Sequence, residues 1–231
     1  MSFGTISVER SSELVPYTMA EQKMQHKVRR IFSDNAPGKL WLLEHPSLYT
    51  TGVSVSPKEE DDNTKQSFIE SHGRIIPLYY TSRGGKHTYH GPGQRVVYTM
   101  LNLRTLYGAQ PDLRQFVKDL TQWVIRTLVS LGVEAGTHPQ HVGIWIGQQK
   151  IAALGIRLHK WVSYHGIAIN INPDMTFFES IVPCGISDLG VGSLASLGYH
   201  IDMQAFDTAL LESFPSIFNI DIESVTDESI V

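Results

Sequence analysis

Three strand-like runs, at 141–147, 150–158 and 161–171, follow one another with only two residues between each pair. Joins that short admit antiparallel neighbours alone, because a parallel crossover needs a dozen residues or more. The middle of the chain is therefore constrained to an antiparallel meander. A long helix precedes it. Pro111 stands at its opening, Leu113, Phe116, Val117, Leu120, Val124, Leu128 and Leu131 form an apolar stripe, and Gly132 is placed to cap its end.

Upstream, 5–9 reads as a strand. A helix follows in which Met19, Met24, Val28, Ile31 and Phe32 fall near helical spacing. The run 39–44 is a compact strand that His45-Pro46 ends, since a residue before proline avoids helical angles. Residues 57–65, PKEEDDNTK, read as a solvated loop, 74–80 and 95–103 as strands, and 202–214 as a helix leading to an acidic tail at about 221–231. Strands, a helix and then more strands predict an α+β fold with a mixed, largely antiparallel sheet and packed helices. No repeat or linker divides the chain, so residues 1–231 are expected to form one domain.

Composition excludes several function classes. A hydrophobic content of 42% with 18% charged residues belongs to a packed globular protein, not to a disordered chain. Nineteen Lys and Arg against 23 Asp and Glu give a net charge of −4, which does not suit nucleic-acid binding. The single cysteine permits neither an internal disulfide nor a CxxC metal or redox site. The first residues, MSFGTISVERSSELV, lack the pattern of a secretory signal, and no apolar run reaches the length of a membrane span. A cytoplasmic protein without membrane contact is the expectation.

Two apparent motifs fail on context. Gly85-Lys86 looks like the end of a phosphate-binding loop, but Tyr80 stands where its first glycine belongs and His87 where Ser or Thr should bind magnesium. Gly190-Val-Gly192 lacks the strand and helix of a dinucleotide site. The pairs His87/His90 and His138/His141 lack further metal ligands, so no metal is expected. The segment from Arg83 to Gln94, RGGKHTYHGPGQ, is more unusual. Its glycines permit tight turns and close approach of backbone to a ligand, while Arg, Thr, Tyr and His supply polar contacts. It reads equally as a ligand loop or a structural hairpin.

Cys184 lies between Pro183 and Gly185, a low-bulk turn that suits a reachable thiol, although a lone cysteine is often inert and buried. Reactivity requires a thiol pKa below the free value near 8.5, which a neighbouring cation provides. Lys150 opens the apolar run Ile151-Ala-Ala-Leu-Gly-Ile156 and is a candidate for that cation; an ordinary edge-strand lysine is the alternative.

His45-Pro46…Tyr49-Thr-Thr-Gly52, Arg83-Gly-Gly…Thr88-Tyr-His-Gly-Pro-Gly-Gln94, Gly143-Ile-Trp…Lys150-Ile-Ala-Ala-Leu-Gly155, His165-Gly166…Asn170 and Pro183-Cys-Gly185 occur in this order. In these residues the chain resembles the octanoyltransferases of lipoate biosynthesis, over roughly 15–214. The resemblance implies the catalytic fold shared with biotin and lipoate protein ligases. It also implies transfer of an octanoyl group from acyl carrier protein to a lysine of a lipoyl domain, in 2-oxoacid dehydrogenase complexes or the glycine cleavage H protein, with no cofactor. By the same resemblance Cys184 is the acyl-thioester nucleophile and Lys150 lowers its pKa. Arg83, Gly84, Gly85, Lys86, His87, Thr88, Tyr89 and His90 form the acyl-binding loop. Ala153, Leu154, Gly155, Gly166, Ile167 and Ala168 complete the pocket, with the small residues Ala152, Ala153 and Gly155 leaving room for the chain. Lys86-His87 is more basic than the family's usual pair. Lys27, Arg29, Arg30 and Lys160 are candidates for meeting an acidic carrier. An ATP-dependent ligase on the same fold, a catalytically silent acyl-binding protein and a Cys–His hydrolase using one of the ten histidines are the alternatives.

Overall fold

The computed structural model describes residues 5–55, 67–181 and 189–228. The meander appears as β8 (Ile144–Ile146), β9 (Gln149–His159) and β10 (Val162–Asn170), paired antiparallel. β10 continues antiparallel onto β7 (Gln94–Met100) and β7 onto β2 (Gly38–Glu44). Beyond β2, β1 (Thr5–Leu14) adds in parallel, and β11 (Gly190–Val191) pairs in parallel with the outer side of β9. The sheet is mixed with an antiparallel centre. The fold class expected from the sequence is the one observed.

β2 and β7 are apolar on successive residues because both faces of the sheet are covered. One face carries Leu40, Leu42, Val97, Ile167 and Ile169. It packs on α3 (Leu113–Ser130) through Phe116, Leu120 and Trp123, and on α4 (Met203–Phe218) through Phe206, Leu210 and Phe214. The other face carries Trp41, Leu43, Val96, Tyr98 and Ala168 and receives Ala20, Met24, Val28 and Ile31 of α1 (Tyr17–Ser33). A smaller sheet orders β4 (Ser67–Ser71), β5 (Arg74–Tyr80), β3 (Leu48–Thr51) and β6 (His87–His90). No helix among the described residues is long and apolar enough to cross a membrane.

Several elements differ from the sequence reading, each for a local reason. Met19 and Phe32 are 42% and 47% exposed, because the buried stripe of α1 follows Ala20 and falls between them. Pro111 precedes α3 without entering it; Asp112 is the N-cap, its carboxylate accepting from the Arg114 N–H at 2.7 Å. The strand expected to reach Leu103 stops at Met100, and Leu103 begins the short helix α2 (Leu103–Tyr107). The acidic tail is corrected: Asp221–Glu228 is a strand, β12, parallel to β1. Its acids concealed it in the sequence, and cations opposite accommodate them, with Arg10 on Asp227 at 2.7 Å and Lys23 on Glu228 at 2.9 Å. The loop at 57–65 lies outside the described residues.

One buried ion pair ties the sheet to its helix layer. Arg95 of β7 donates twice to Asp207 of α4, at 2.9 and 3.0 Å. Removing one partner leaves the other charge buried alone, at a cost of about 3–5 kcal/mol. Asp207→Ala is expected to lower the urea unfolding free energy by that order, and Arg95→Met/Asp207→Leu to recover most of the loss. Equal losses in the single and double variants would contradict this.

Candidate active site

The pocket is built on the face of the sheet shared with α1. Antiparallel register sets Ala168 opposite both Val96 and Ala153, and Gly166 opposite both Tyr98 and Gly155. Two rows result, Val96–Ala168–Ala153 and Tyr98–Gly166–Gly155, and four of their six residues are Gly or Ala. The small residues recess the floor. At Gly166 even a methyl group is excluded, since a Cβ would stand 1.9 Å from the Val97 carbonyl oxygen. The intervening Leu154 and Ile167 send their side chains to the helix-side core and border the pocket through their backbone.

The smaller sheet and the turn before β6 form the opposite wall. Thr50, Arg83, Gly85, Lys86, His87, Thr88 and His90 line it, with Tyr17 and His165, around about 540 Å³ of empty space including the open mouth. Arg83 holds this wall together. Its guanidinium donates to the carbonyls of Thr50, Gly84 and Lys86 at 2.8–3.0 Å and to the Thr50 hydroxyl at 2.7 Å. The turn is pinned to the large sheet where Gly84 N–H donates to the Ile156 carbonyl at 3.3 Å. Thus Gly84 bears on the site through backbone and does not line the pocket. Tyr89 corrects the sequence reading. Alternation along β6 turns Thr88 and His90 inward and Tyr89 outward, where it stacks on Phe177 at 4.9 Å and bonds Ser47 at 2.9 Å.

A second, smaller space adjoins the first and contains Lys150. Thr88, Ala153 and Ala168 line both, and Gln94, Ala152, Asn170, Phe178 and Val191 complete the second. Lys150 is 7% exposed, with Nζ 5.9 Å from the centre of the Trp145 ring. Cys184 lies outside the described residues. The chain on either side of 182–188 meets the Lys150 space, through Phe178 before it and Val191 after it, and Val191 pairs directly with Lys150.

Directed hydrogen bonds connect the two spaces. Arg83 donates to the Thr50 hydroxyl, which can then donate to His90 Nε2 at 3.3 Å. His90 Nδ1–H donates to Gln94 Oε1 at 2.7 Å, and Gln94 Nε2 to Asn170 Oδ1 at 2.9 Å. Asn170 Nδ2 donates to the Gly192 carbonyl at 2.9 Å, and Gly192 N–H to the Lys150 carbonyl at 3.1 Å. The sequence reading did not assign Gln94 or Asn170 to the site, nor Tyr17, Thr50, Val96, Tyr98 and His165. Gln94, Thr50, His165 and Asn170 stand within or beside the marker motifs, which was their available signal. Tyr17, Val96 and Tyr98 arrive by topology from apolar stretches that carry none.

Those directions require neutral imidazoles. His45 Nδ1–H donates to the Val15 carbonyl at 2.6 Å, leaving Nε2 to accept from the Tyr98 hydroxyl at 2.7 Å. Burial pushes His45 down to about 4. Burial, and then the Arg83 charge, pushes His165 down to about 3, and burial holds His90 well below its usual value. Of the basic candidates, Arg29 lines a separate space with His159 and Tyr164, and Lys160 lies away from this site. Lys160 follows the far end of β9, an eleven-residue strand spanning roughly 35 Å, and its Nζ sits 4.2 Å over Phe32.

Unfolded histidine binds a proton below about pH 6.5, whereas these folded imidazoles resist it. Their stabilisation is therefore complete above about pH 6.5 and is lost as the pH falls toward the folded values, about 1.4 kcal/mol per pH unit for each. Urea unfolding of the native protein between pH 7 and 5 is expected to show a steeper acid loss than His45→Gln. Parallel slopes would contradict the assignment.

The lipoyl protein ligase A/B catalytic domain model matches residues 17–215. The chain is 42% identical over 218 residues to an octanoyltransferase of Parvibaculum lavamentivorans, covering 90% of this chain and 91% of that protein. It is 44% identical over 216 residues to an octanoyltransferase of Paramagnetospirillum magneticum, covering 91% and 96%. Among solved structures, lipoate-protein ligase A bound with ATP aligns with a TM-score of 0.68 at 14% identity, covering 98% of this chain and 90% of that one. The bi-partite lipoate protein ligase of Thermoplasma acidophilum aligns at 0.67 and 13%, covering 98% and 88%. At those identities the structural likeness is one of fold, while the sequence relatives decide the family. The chain belongs to the lipoyl protein ligase A/B catalytic domain family and, within it, to the octanoyltransferases.

Proposed function

We propose that this chain moves an octanoyl group from the thioester of acyl carrier protein to a lysine of a lipoyl domain, through a thioester on Cys184. The acceptors are the lipoyl domains of 2-oxoacid dehydrogenase complexes and the glycine cleavage H protein, and the setting is the cytoplasm. The observation that carries this reading is the pair of adjoining spaces: an apolar, small-residue pocket that shares Thr88, Ala153 and Ala168 with the space lined by Lys150. An acyl chain lies in the first while its carbonyl carbon reaches the second. Each methylene taken from water contributes about 0.8 kcal/mol.

In the first half-reaction the Cys184 thiolate attacks the donor carbonyl. A new C–S bond forms, the carrier's C–S bond breaks, and the carrier thiolate leaves with a proton delivered through Lys150. The Lys150 cation favours the thiolate beforehand. In the second, the acceptor amine attacks the acyl-enzyme; the amide C–N bond forms and the bond to Cys184 breaks. The surplus amine proton passes to Lys150, restoring the starting charge. The energy of the thioester drives both exchanges, so ATP has no part in them. Gln94 and Asn170 hold Gly192, and through it the Lys150 strand, in register with the pocket.

Intact-protein mass after mixing with octanoyl-acyl carrier protein, without ATP, tests the sequence of steps. One octanoyl adduct is expected on the native chain and none on Cys184→Ala, with the group passing to an added apo lipoyl domain. Lys150→Met should slow Cys184 alkylation at neutral pH and move its midpoint toward about 8.5. Transfer that occurs only with free octanoate and ATP would overturn the reading in favour of a ligase. Ala153→Leu, which adds bulk where the two spaces adjoin, should lower kcat/KM for octanoyl donors at least about tenfold and for butanoyl donors much less. An equal loss for both would contradict the path of the chain.

A further inference from the structure

Beside Lys150, on the α3 side, lies a surface groove of about 620 Å³ including its open mouth. Arg114 and Lys118 form one wall, and His138, His141 and Val142 the other. Its inner end is Gly143, where φ is +144° and a Cβ would stand 2.5 Å from Lys150 Cε. Gly143 thus borders the groove and packs closely on the lysine stem. The rings of His138 and His141 stack at 4.8 Å and His138 lies 5.0 Å from Trp145, whose ring also faces Lys150 Nζ.

Among the described residues no ion pair engages Arg114 or Lys118. Asp112 caps α3 by accepting from the Arg114 backbone N–H, and Asp119 accepts from the Tyr107 hydroxyl and the Gln115 amide. Val142, 63% exposed, adds an apolar contact at the rim.

We propose that this groove docks the donor, an anionic carrier protein that presents its acyl thioester on a phosphodiester-bearing arm. The inference rests on the transferase reading above and names the surface used in its first half-reaction. Charge separates donor from acceptor. The acceptor brings a lysine, whose cation Arg114 and Lys118 repel. The donor arm brings a phosphodiester, which a guanidinium binds through paired N–H groups and an ammonium through its charge. Basic side chains at such a rim also steer an acidic carrier toward the site, an effect that salt weakens.

Rates of octanoyl loading test the surface, measured on the full chain and on Arg114→Glu/Lys118→Glu, with Arg114→Gln/Lys118→Gln as the milder variant. Loading from octanoyl-acyl carrier protein is expected to fall at least about tenfold in the Glu variant and less in the Gln variant, with a flatter salt dependence. Loading from octanoyl-pantetheine, which lacks phosphate and carrier, should be unchanged. Transfer from preloaded enzyme to a lipoyl domain should not fall, since the exchange removes a repulsion toward the acceptor lysine. Unaltered carrier loading would overturn the proposal, as would a loss confined to the transfer step or an equal loss with both donors. If the native chain accepts octanoyl from neither donor, the transferase reading itself fails and the docking surface with it.

Discussion

The guanidinium of Arg83 is the fixed point of the site. It gathers three carbonyls of the smaller sheet and its turn, and it sets the direction of every hydrogen bond that follows through Thr50, His90, Gln94 and Asn170 to Gly192. Each of these side chains is buried, so each must find a partner, and reversing one link would leave several unmatched. The same permanent charge helps hold the surrounding imidazoles neutral. It thereby preserves the acceptor nitrogens on which the directions depend.

Against this polar frame the sheet supplies an apolar recess. Side chains alternate along β9 and β10, so one set builds the core with α3 and α4 while the other, of Ala and Gly, makes room beneath the smaller sheet. Stability and function thus occupy opposite faces of the same strands. Lys150 stands where the recess meets the end of β9, backed by Gly143 and by the strand that follows Cys184 in the chain.

Much of this was legible in the sequence because the informative residues cluster. The turn at 83–90 and the small residues at 153–155 and 166–168 come from three short segments, and the fold brings them to one pocket. Tyr89 was misjudged by its membership in that cluster, since strand alternation and not proximity decides which neighbour faces inward. Tyr17 and Tyr98 were invisible for the opposite reason: α1 and β7 reach the pocket only through tertiary packing. At the C-terminus, acids opposed by Arg10 and Lys23 hid a strand that composition presented as a tail. Lys160, a basic candidate in the sequence, stands at the opposite end of β9 from Lys150.

The most direct test of the account is a crystal structure of the chain octanoylated on Cys184. The account predicts acyl density passing Thr88, Ala153 and Ala168 and extending over Gly155 and Gly166 toward Tyr98, with the thioester beside Lys150. An acyl chain directed out of this recess, or a thioester remote from Lys150, would contradict it.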